Sequence, residues 1–289
     1  MTNNFETVAI TSTSREKNII DIAKQCMEVL ENQDIKVVLT ENLRELKQKR
    51  ISILKSEESL IKRASLLIAI GGDGTMLSCA RRFGSKGTPI LGINLGNLGF
   101  LTDIAPEDVT VSLMDVVKGK FIKDERSFLE ASINTEKNSY IALNEIVIHS
   151  GAIAQLIEFE LFIDDTFVYR QRADGLIINT PTGSTAYALS GGGPIIHPSV
   201  SSITLLPMFP HSLSSSPLII DDKSKIDIKL IGKRNKAKLN MDSHDSVSLM
   251  NGDIVSIKKA DSTLDLIHPL EHDFYSSCRN KLGWSSRIS

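Results

Sequence analysis

The sequence predicts an α/β domain built on a parallel sheet, followed by a β-rich domain, and three observations predict it. Up to about residue 125, strand-like apolar runs alternate with helix-like segments, as in parallel strands joined by crossover helices. After Arg126 the chain reads as short β-prone runs divided by turn signals. From about 273 to 283 a helical pattern returns, so the first domain is expected to be discontinuous. The expected division is 1–125 with about 271–289 for the α/β domain, and 126–270 for the β-rich one; 289 residues suit two domains.

The first domain opens with a strand over 7–11 and an amphipathic helix over 16–32, then strands over 35–39, 66–70 and 90–93. Good helix formers predict a helix over 76–83, directly after the glycine-rich turn at 71–75. In open parallel sheets ligands sit beyond the carboxyl ends of the strands, and 71–75 lies at such an end. In the second domain, strands are expected over 131–133, 140–148, 156–163, 175–179, 203–206, 225–230, 237–241 and 254–258. Asp164-Asp165, Gly191-Gly192-Gly193-Pro194, Gly232-Lys233 and Asn251-Gly252-Asp253 mark turns between them.

Composition narrows the function classes. A content of 41% hydrophobic and 24% charged residues is that of an ordinary globular chain. A net charge of −2 and a pI near 6.3 give no basic footprint for nucleic acid, so a phosphate ligand must be held by local groups. Cys26, Cys79 and Cys278 are odd in number and widely spaced, which predicts reduced thiols and neither a disulfide framework nor a structural zinc site. No run approaches the roughly 20 apolar residues of a membrane span, and no basic, then apolar, N-terminal segment marks export. No membrane association and a cytoplasmic location are the expectation. The six histidines form no His-Glu-x-x-His pattern, which disfavours a zinc hydrolase.

Four constellations carry chemistry. In Leu-Leu-Ile-Ala-Ile-Gly-Gly-Asp-Gly-Thr, 66–75, an apolar strand ends in a turn whose glycines let the backbone approach a ligand and whose following helix aims amides at an anion. Asp73 is repelled by phosphate and suits a hydroxyl or a metal-bound species; the plain alternative is a helix cap by Asp73 or Thr75. A second glycine loop, 89–103, carries Gly92, Gly96 and Gly99 without the Gly-x-Gly-x-x-Gly spacing, against a Rossmann dehydrogenase. Asn144-Glu145 interrupts an apolar strand and needs partners, either ligand hydroxyls, a base edge or a metal, or internal hydrogen bonds at a bulge. Residues 174–190 open from a strand into Thr182, Ser184, Thr185 and Tyr187, which offer hydrogen bonds and a stacking face for a nucleotide, or simply cap a helix. The basic run Lys229, Lys233, Arg234, Lys236, Lys238 reads as a solvated hairpin turn.

Taken together and in this order, Gly71-Gly72-Asp73-Gly74-Thr75, Leu143-Asn144-Glu145 and Thr180-Pro181-Thr182-Gly183-Ser184-Thr185-Ala186-Tyr187 resemble the NAD kinase family, over nearly the whole chain. The stretches 92–101, 172–174, 191–194 and 206–211 match as well, and Leu282-Gly283-Trp284 looks most like bacterial members. The first motif is shared with diacylglycerol-type lipid kinases and phosphofructokinases; the hydroxyl-rich one is more specific. The resemblance implies an N-terminal Rossmann-like α/β domain and a C-terminal β-rich domain of β-sandwich type, in a homodimer or homotetramer. It implies phosphorylation of the adenosine ribose 2′-hydroxyl of NAD by ATP, with Mg²⁺ or another divalent cation, to give NADP.

Position by position, the resemblance implies Asp73 as proton acceptor, with Gly72, Gly74 and Thr75 forming the ligand turn. It puts Asn144 and Glu145 on the dinucleotide, with Arg172 and Asp174 lining the same site. Thr185, Ala186, Tyr187, Ala188, Leu189 and Ser190 would surround the nicotinamide end. Gln155 and His244 align with ligand-contacting places whose residue type varies in the family. No residue is implied as a protein ligand of the metal. Aspartate is a weak base for an alcohol, so the proton would pass late, and alignment and charge neutralisation would carry the rate. A lipid kinase would need an apolar acceptor pocket where 179–190 is crowded with hydroxyls; a non-catalytic NADP(H) sensor would use the same cradle without transfer.

Overall fold

The computed structural model describes residues 5–14, 16–48, 51–54, 56–96, 99–134, 138–151, 155–212, 214–232 and 237–284. Asn97 and Leu98 of the second glycine loop, Lys233, Arg234 and Lys236 of the basic run, and 285–289 of the expected first domain lie outside them. The chain divides into two compact units, Met1–Glu125 with Ser262–Ser289, and Arg126–Asp261.

In the first unit the order is β1 (Thr7–Ser12), α1 (Lys17–Glu31), β2 (Lys36–Thr40), β3 (Ser52–Leu54), α2 (Glu57–Arg63), β4 (Leu66–Ile70), α3 (Asp73–Arg82), β5 (Ile90–Ile93) and α4 (Val109–Val117). The strands pair in the order β3-β2-β1-β4-β5, every pair parallel. β4 is buried along its whole length, as a central strand covered on both faces must be, which is why it reads as an unbroken apolar run. α1 turns Ile19, Ile22, Ala23, Cys26, Met27 and Leu30 inward at helical spacing, and this stripe joins Ile10, Ile68 and Leu113 in one core. α3 begins at Asp73, three residues before the expected Met76, because the glycine turn itself forms the first helical turn behind Gly72. Three elements were not anticipated, β3, α2 and α4. α2 nevertheless carries its signals, with Ser56 accepting from the Ser59 N–H, Glu57 and Glu58 in its first turn and Lys62 and Arg63 in its last.

The second unit is all β apart from short turns of helix. It contains β6 (Ile122–Ile133), which begins in the first unit, then β7 (Ser139–Ala142), β8 (Glu145–His149), β9 (Ile157–Ile163), β10 (Thr166–Ala173), β11 (Gly175–Asn179) and the one-turn α5 (Tyr187–Ser190). β12 (Ser202–Met208), β13 (Leu218–Asp221), β14 (Ile226–Leu230), β15 (Ala237–Met241), β16 (Asp245–Leu249) and β17 (Ile254–His268) follow. One sheet runs β10-β9-β14-β17, with β6 on β17 and β7 on β6; the other runs β13-β12-β11-β8-β15-β16, antiparallel throughout. Phe159, Leu161, Ile226 and Ile228 of the first meet Ile146, Ile148, Leu176 and Ile178 of the second in a single core, which makes a β-sandwich.

Where one strand was expected over 140–148, the chain makes two, β7 and β8, broken at Leu143-Asn144. β10, β13 and β16 were not anticipated, and β6 and β17 are far longer than the expected 131–133 and 254–258. β17 carries the chain back into the first unit, where Leu266 and Ile267 pair in parallel with Ile90 and Leu91 of β5. That return falls at Ser262, inside a continuous strand that offers no breaker until Pro269, while the sequence reading puts it at about 271. α6 (Phe274–Leu282) closes the described chain. Among the described residues no helix is long and apolar enough to cross a membrane.

Candidate active site

In the first unit, the carboxyl end of β4 delivers Gly71 and Gly72, and α3 starts on Asp73. The Asp73 carboxylate accepts the Phe100 N–H on Oδ2 and the Leu101 N–H on Oδ1, both at 3.1 Å. The second glycine loop therefore supplies donors to the first. A Cβ at Gly99 would overlap Asp73 Oδ1, so glycine there is what lets the carboxylate lie against the loop. Thr102 and Asn94 brace that loop: Thr102 Oγ1 takes the Gly99 N–H at 3.1 Å and the Asn94 amide at 3.0 Å, and Asn94 Oδ1 takes the Leu95 and Gly96 N–H groups. A Cβ at Gly72 or Gly74 would meet nothing within 4 Å, so the turn is open on that side. Thr75 is different. Its hydroxyl is turned to Thr13 Oγ1, 2.8 Å away, and is buried. Lys281, from α6, brings its ammonium 3.4 Å from Asp73 Oδ2; nothing in the sequence reading pointed to it, 208 residues away.

In the second unit, Asn144 and Glu145 sit at the break between β7 and β8. The break is built by Asp242, a buried carboxylate at left-handed φ 47° in the β15–β16 turn. It accepts the N–H groups of Leu143 at 2.9 Å, Asn144 at 2.8 Å and Glu145 at 3.2 Å. From the other side, Thr180 Oγ1 donates to the Leu143 carbonyl at 2.6 Å, and the Thr180 N–H to the Asn144 carbonyl at 2.9 Å. Gly183 presses so close that a Cβ would stand 2.5 Å from the Asn144 carbonyl carbon. The internal hydrogen bonding proposed for a bulge is thus real for the backbone. It leaves the Glu145 carboxyl to be satisfied separately.

Glu145 is 3% exposed. Burial, with the Asp242 charge beside it, pushes its pKa up to about 8, against one favourable hydrogen bond from the Tyr187 N–H. It is a neutral acid at pH 7. The register places Asn179 opposite Glu145 and Thr204 opposite Asn179, in one row across three strands. Glu145 Oε2, Asn179 Oδ1 and Thr204 Oγ1 are buried without a protein hydrogen-bond partner among the described residues, so water or a polar ligand must satisfy them at about 1–3 kcal/mol each.

The hydroxyl-rich loop departs from its expected use. The Ser184 hydroxyl engages the Pro181 carbonyl at 2.6 Å and takes the Ile196 N–H at 3.0 Å; Thr182 Oγ1 accepts from Arg126 at 3.2 Å. These groups are spent on the loop's own shape, a 3₁₀ turn at Thr182–Thr185 followed by α5, and neither start has a side-chain cap. What the loop offers outward is Tyr187, 42% exposed. Beside it opens a cavity of about 460 Å³ lined by Ile177, Tyr187, Leu206, Met208 and Phe209, the size of a small-molecule site.

The structure therefore gathers Asn144, Glu145, Tyr187 and the segment 185–190 around one break, and His244 joins them, its Nδ1 2.8 Å from the Asp242 carbonyl. Arg172 and Asp174 are not gathered there. Asp174 precedes the opposite end of β11, roughly 17 Å away along the strand, and Arg172 lies in β10, paired with Glu158 of β9. Gln155 is exposed, two residues before β9. Asp242 and Arg126, which shape the site, were missed, since a lone Asp in a turn and a lone Arg in a strand carry no pattern.

One further cluster, in the first unit, is a clamp. The Asp103 carboxylate meets Nδ1 of His268 and, at 3.0 Å, Nδ1 of His272. Burial works to raise its pKa, but the two histidine hydrogen bonds outweigh it and hold the carboxyl well below the usual range. The three ligand atoms lie within 4.8 Å, yet the rings stack 3.9 Å apart and 15° from parallel, so their nitrogen lone pairs run side by side and do not converge on one ion. All three cysteines are buried and unpaired, and burial pushes Cys26 and Cys79 up to about 12.

Known proteins resemble this chain over nearly its whole length. The family model described as the ATP-NAD kinase N-terminal domain matches residues 8–121, and that of the C-terminal domain matches 143–269. A protein of Chromohalobacter salexigens named NAD kinase is 43% identical over 98% of both chains, and one of Salmonella newport is 39% identical over the full length of both. The crystal structure of yeast NADH kinase complexed with NADH is similar at TM-score 0.89 and 28% identity, covering 98% of this chain and 89% of that one. An NAD kinase from Archaeoglobus fulgidus in complex with ATP is similar at TM-score 0.73 and 27% identity, covering 96% and 97%.

Proposed function

Because the chain belongs to the NAD kinase family, we infer that it transfers the γ-phosphoryl group of ATP to the 2′-hydroxyl of the adenosine ribose of NAD, giving NADP. The observation that carries the reading is the Asp73 carboxylate, fixed by two backbone N–H groups in a glycine turn that is open beside Gly72 and Gly74. Asp73 takes the proton of the attacking hydroxyl as its oxygen bonds to phosphorus. The amides at the start of α3 face the incoming phosphate oxygens. Positioning contributes most of the acceleration, since a phosphoryl group in flight asks for alignment and charge neutralisation.

NAD is held in the second unit. Asn144 and the neutral Glu145 take ribose or nicotinamide groups, and Tyr187 supplies a stacking face beside its cavity. Asp73, already engaged by two N–H groups and Lys281, is a poor member of a protein metal cage. The donor set suits a Mg²⁺ carried by the ATP phosphates and water. Such an ion supplies charge neutralisation on the transferred group. The enzyme is read as cytoplasmic and as a homodimer or homotetramer, with no nucleic-acid or membrane partner.

An assay with NAD, ATP and Mg²⁺, read through an NADP-specific dehydrogenase, tests the reading. NADP formation that stops with EDTA is the expected result; nucleotide binding without NADP would contradict it.

A further inference from the structure

We propose that Lys281 is a catalytic residue of the same reaction, a cation shared between Asp73 and the γ-phosphoryl group of bound ATP that passes wholly to the latter during transfer. Its ammonium stands 3.4 Å from Asp73 Oδ2 and 5.0 Å from the centre of the Phe100 ring, and the Phe100 backbone N–H donates to that same oxygen. The lysine is delivered on a fixed support. Asp273 caps α6 by accepting the Tyr275 and Ser276 N–H groups at 3.0 Å and binds Arg279 at 2.9 Å, Cys278 is buried, and Gly283 ends the helix at φ 69°. Lys281 is 29% exposed and Asp73 33%, whereas the lysine of a helix-surface pair such as Lys62–Glu58 is 71% exposed.

Stability does not account for such a pair, because partly exposed ion pairs contribute about 0–1 kcal/mol. Position does. The inference rests on the phosphoryl-transfer reading, in which the attacking oxygen lies within about 3 Å of Asp73 and the phosphorus about 3–3.5 Å beyond it. Rotation of the outer lysine torsions then carries the ammonium from the carboxylate to a γ-phosphoryl oxygen. In that step the hydroxyl proton passes to Asp73, the new O–P bond forms, the P–O bond to ADP breaks, and Lys281 keeps its three protons. As Asp73 becomes neutral it releases its hold on the lysine, at the moment when charge on the transferred group needs a partner.

The test compares full-length Lys281→Met, Lys281→Gln and Lys281→Arg with the wild type. Expected for Met and Gln are a kcat lower by about a hundredfold, a KM for NAD within about threefold, and roughly tenfold weaker calorimetric binding of a non-hydrolysable ATP analogue with Mg²⁺; Arg restores at least part of both losses. A helix-supporting role alone would not weaken analogue binding while sparing NAD. Analogue affinity and kcat within twofold of wild type in Met and Gln would overturn the proposal. If the wild type forms no NADP, the kinase reading fails on that result, and the analogue affinities decide on Lys281: a loss in Met and Gln retains it as a donor-phosphate ligand, and no loss removes it.

Discussion

Two carboxylates stand at the centre of the two units, and their surroundings are opposite. Asp73 is one-third exposed, turned toward donors, with two backbone N–H groups and an ammonium around it. Glu145 is buried, receives one N–H, and lies near a second carboxylate, Asp242. The same functional group thus meets several donors in one unit and burial beside a second carboxylate in the other. The supports differ as well: a movable side chain contacts the critical glycine in the first unit, and rigid backbone does so in the second. Chemistry in the first unit should therefore be easy to damage without unfolding, and the backbone frame around Asn144 in the second difficult to damage without it.

The glycines put this to a direct trial. Gly183→Ala drives a methyl into the Asn144 backbone and should cost about 2–4 kcal/mol. A chemical melt would show it, and a loss under 0.5 kcal/mol would break the comparison. Gly99→Ala displaces two side-chain ends, the Asp73 carboxylate and the Thr102 hydroxyl, and no backbone, so stability should fall by less than for Gly183→Ala, about 1–2 kcal/mol, while turnover falls about a hundredfold. Equal effects on stability from the two would remove the distinction. Asn144→Ala should weaken NAD binding about tenfold by calorimetry with kcat little changed, worth about 1.4 kcal/mol.

Glu145 gives a pH signature. Its folded pKa is raised to about 8 from an ordinary value near 4.5, so the folded state holds the proton more tightly than the unfolded one. The stabilising contribution is complete below about pH 4.5 and is lost as pH rises to about 8. Glu145→Gln should therefore gain on the wild type by up to about 1.4 kcal/mol per pH unit across that window. Parallel stability curves for the two proteins would contradict it.

The fold was legible where burial is continuous or alternates. β4, β5, β8, β11 and β12 announce themselves by apolar runs, and the inner strands β9, β14 and β15 by alternation of buried apolar with polar residues. The strands that escaped, β3, β10, β13 and β16, all lie at sheet edges. β10 and β16 carry polar and charged residues that discourage further pairing and dilute the apolar signal, and β3 and β13 are only 3 and 4 residues long. β10, with Arg170 and Arg172 on its open side, is the plainest case. At the site, Asp73 and Glu145 were visible because each breaks an apolar context. Lys281 and Asp242 were not, since what matters in each is a contact with a residue 208 or about a hundred positions away. The hydroxyls of Thr182 and Ser184 were legible as a cluster but misleading in direction, because backbone carbonyls, N–H groups and Arg126 claim them.

The central claim is that Asp73 serves chemistry and the second unit serves NAD. Asp73→Asn, studied by single-turnover NADP formation and by NAD calorimetry on the same preparation, tests it most directly. Turnover should fall by at least about a thousandfold with the NAD dissociation constant within threefold of wild type. Turnover close to wild type, or NAD affinity lost together with it, would contradict the account.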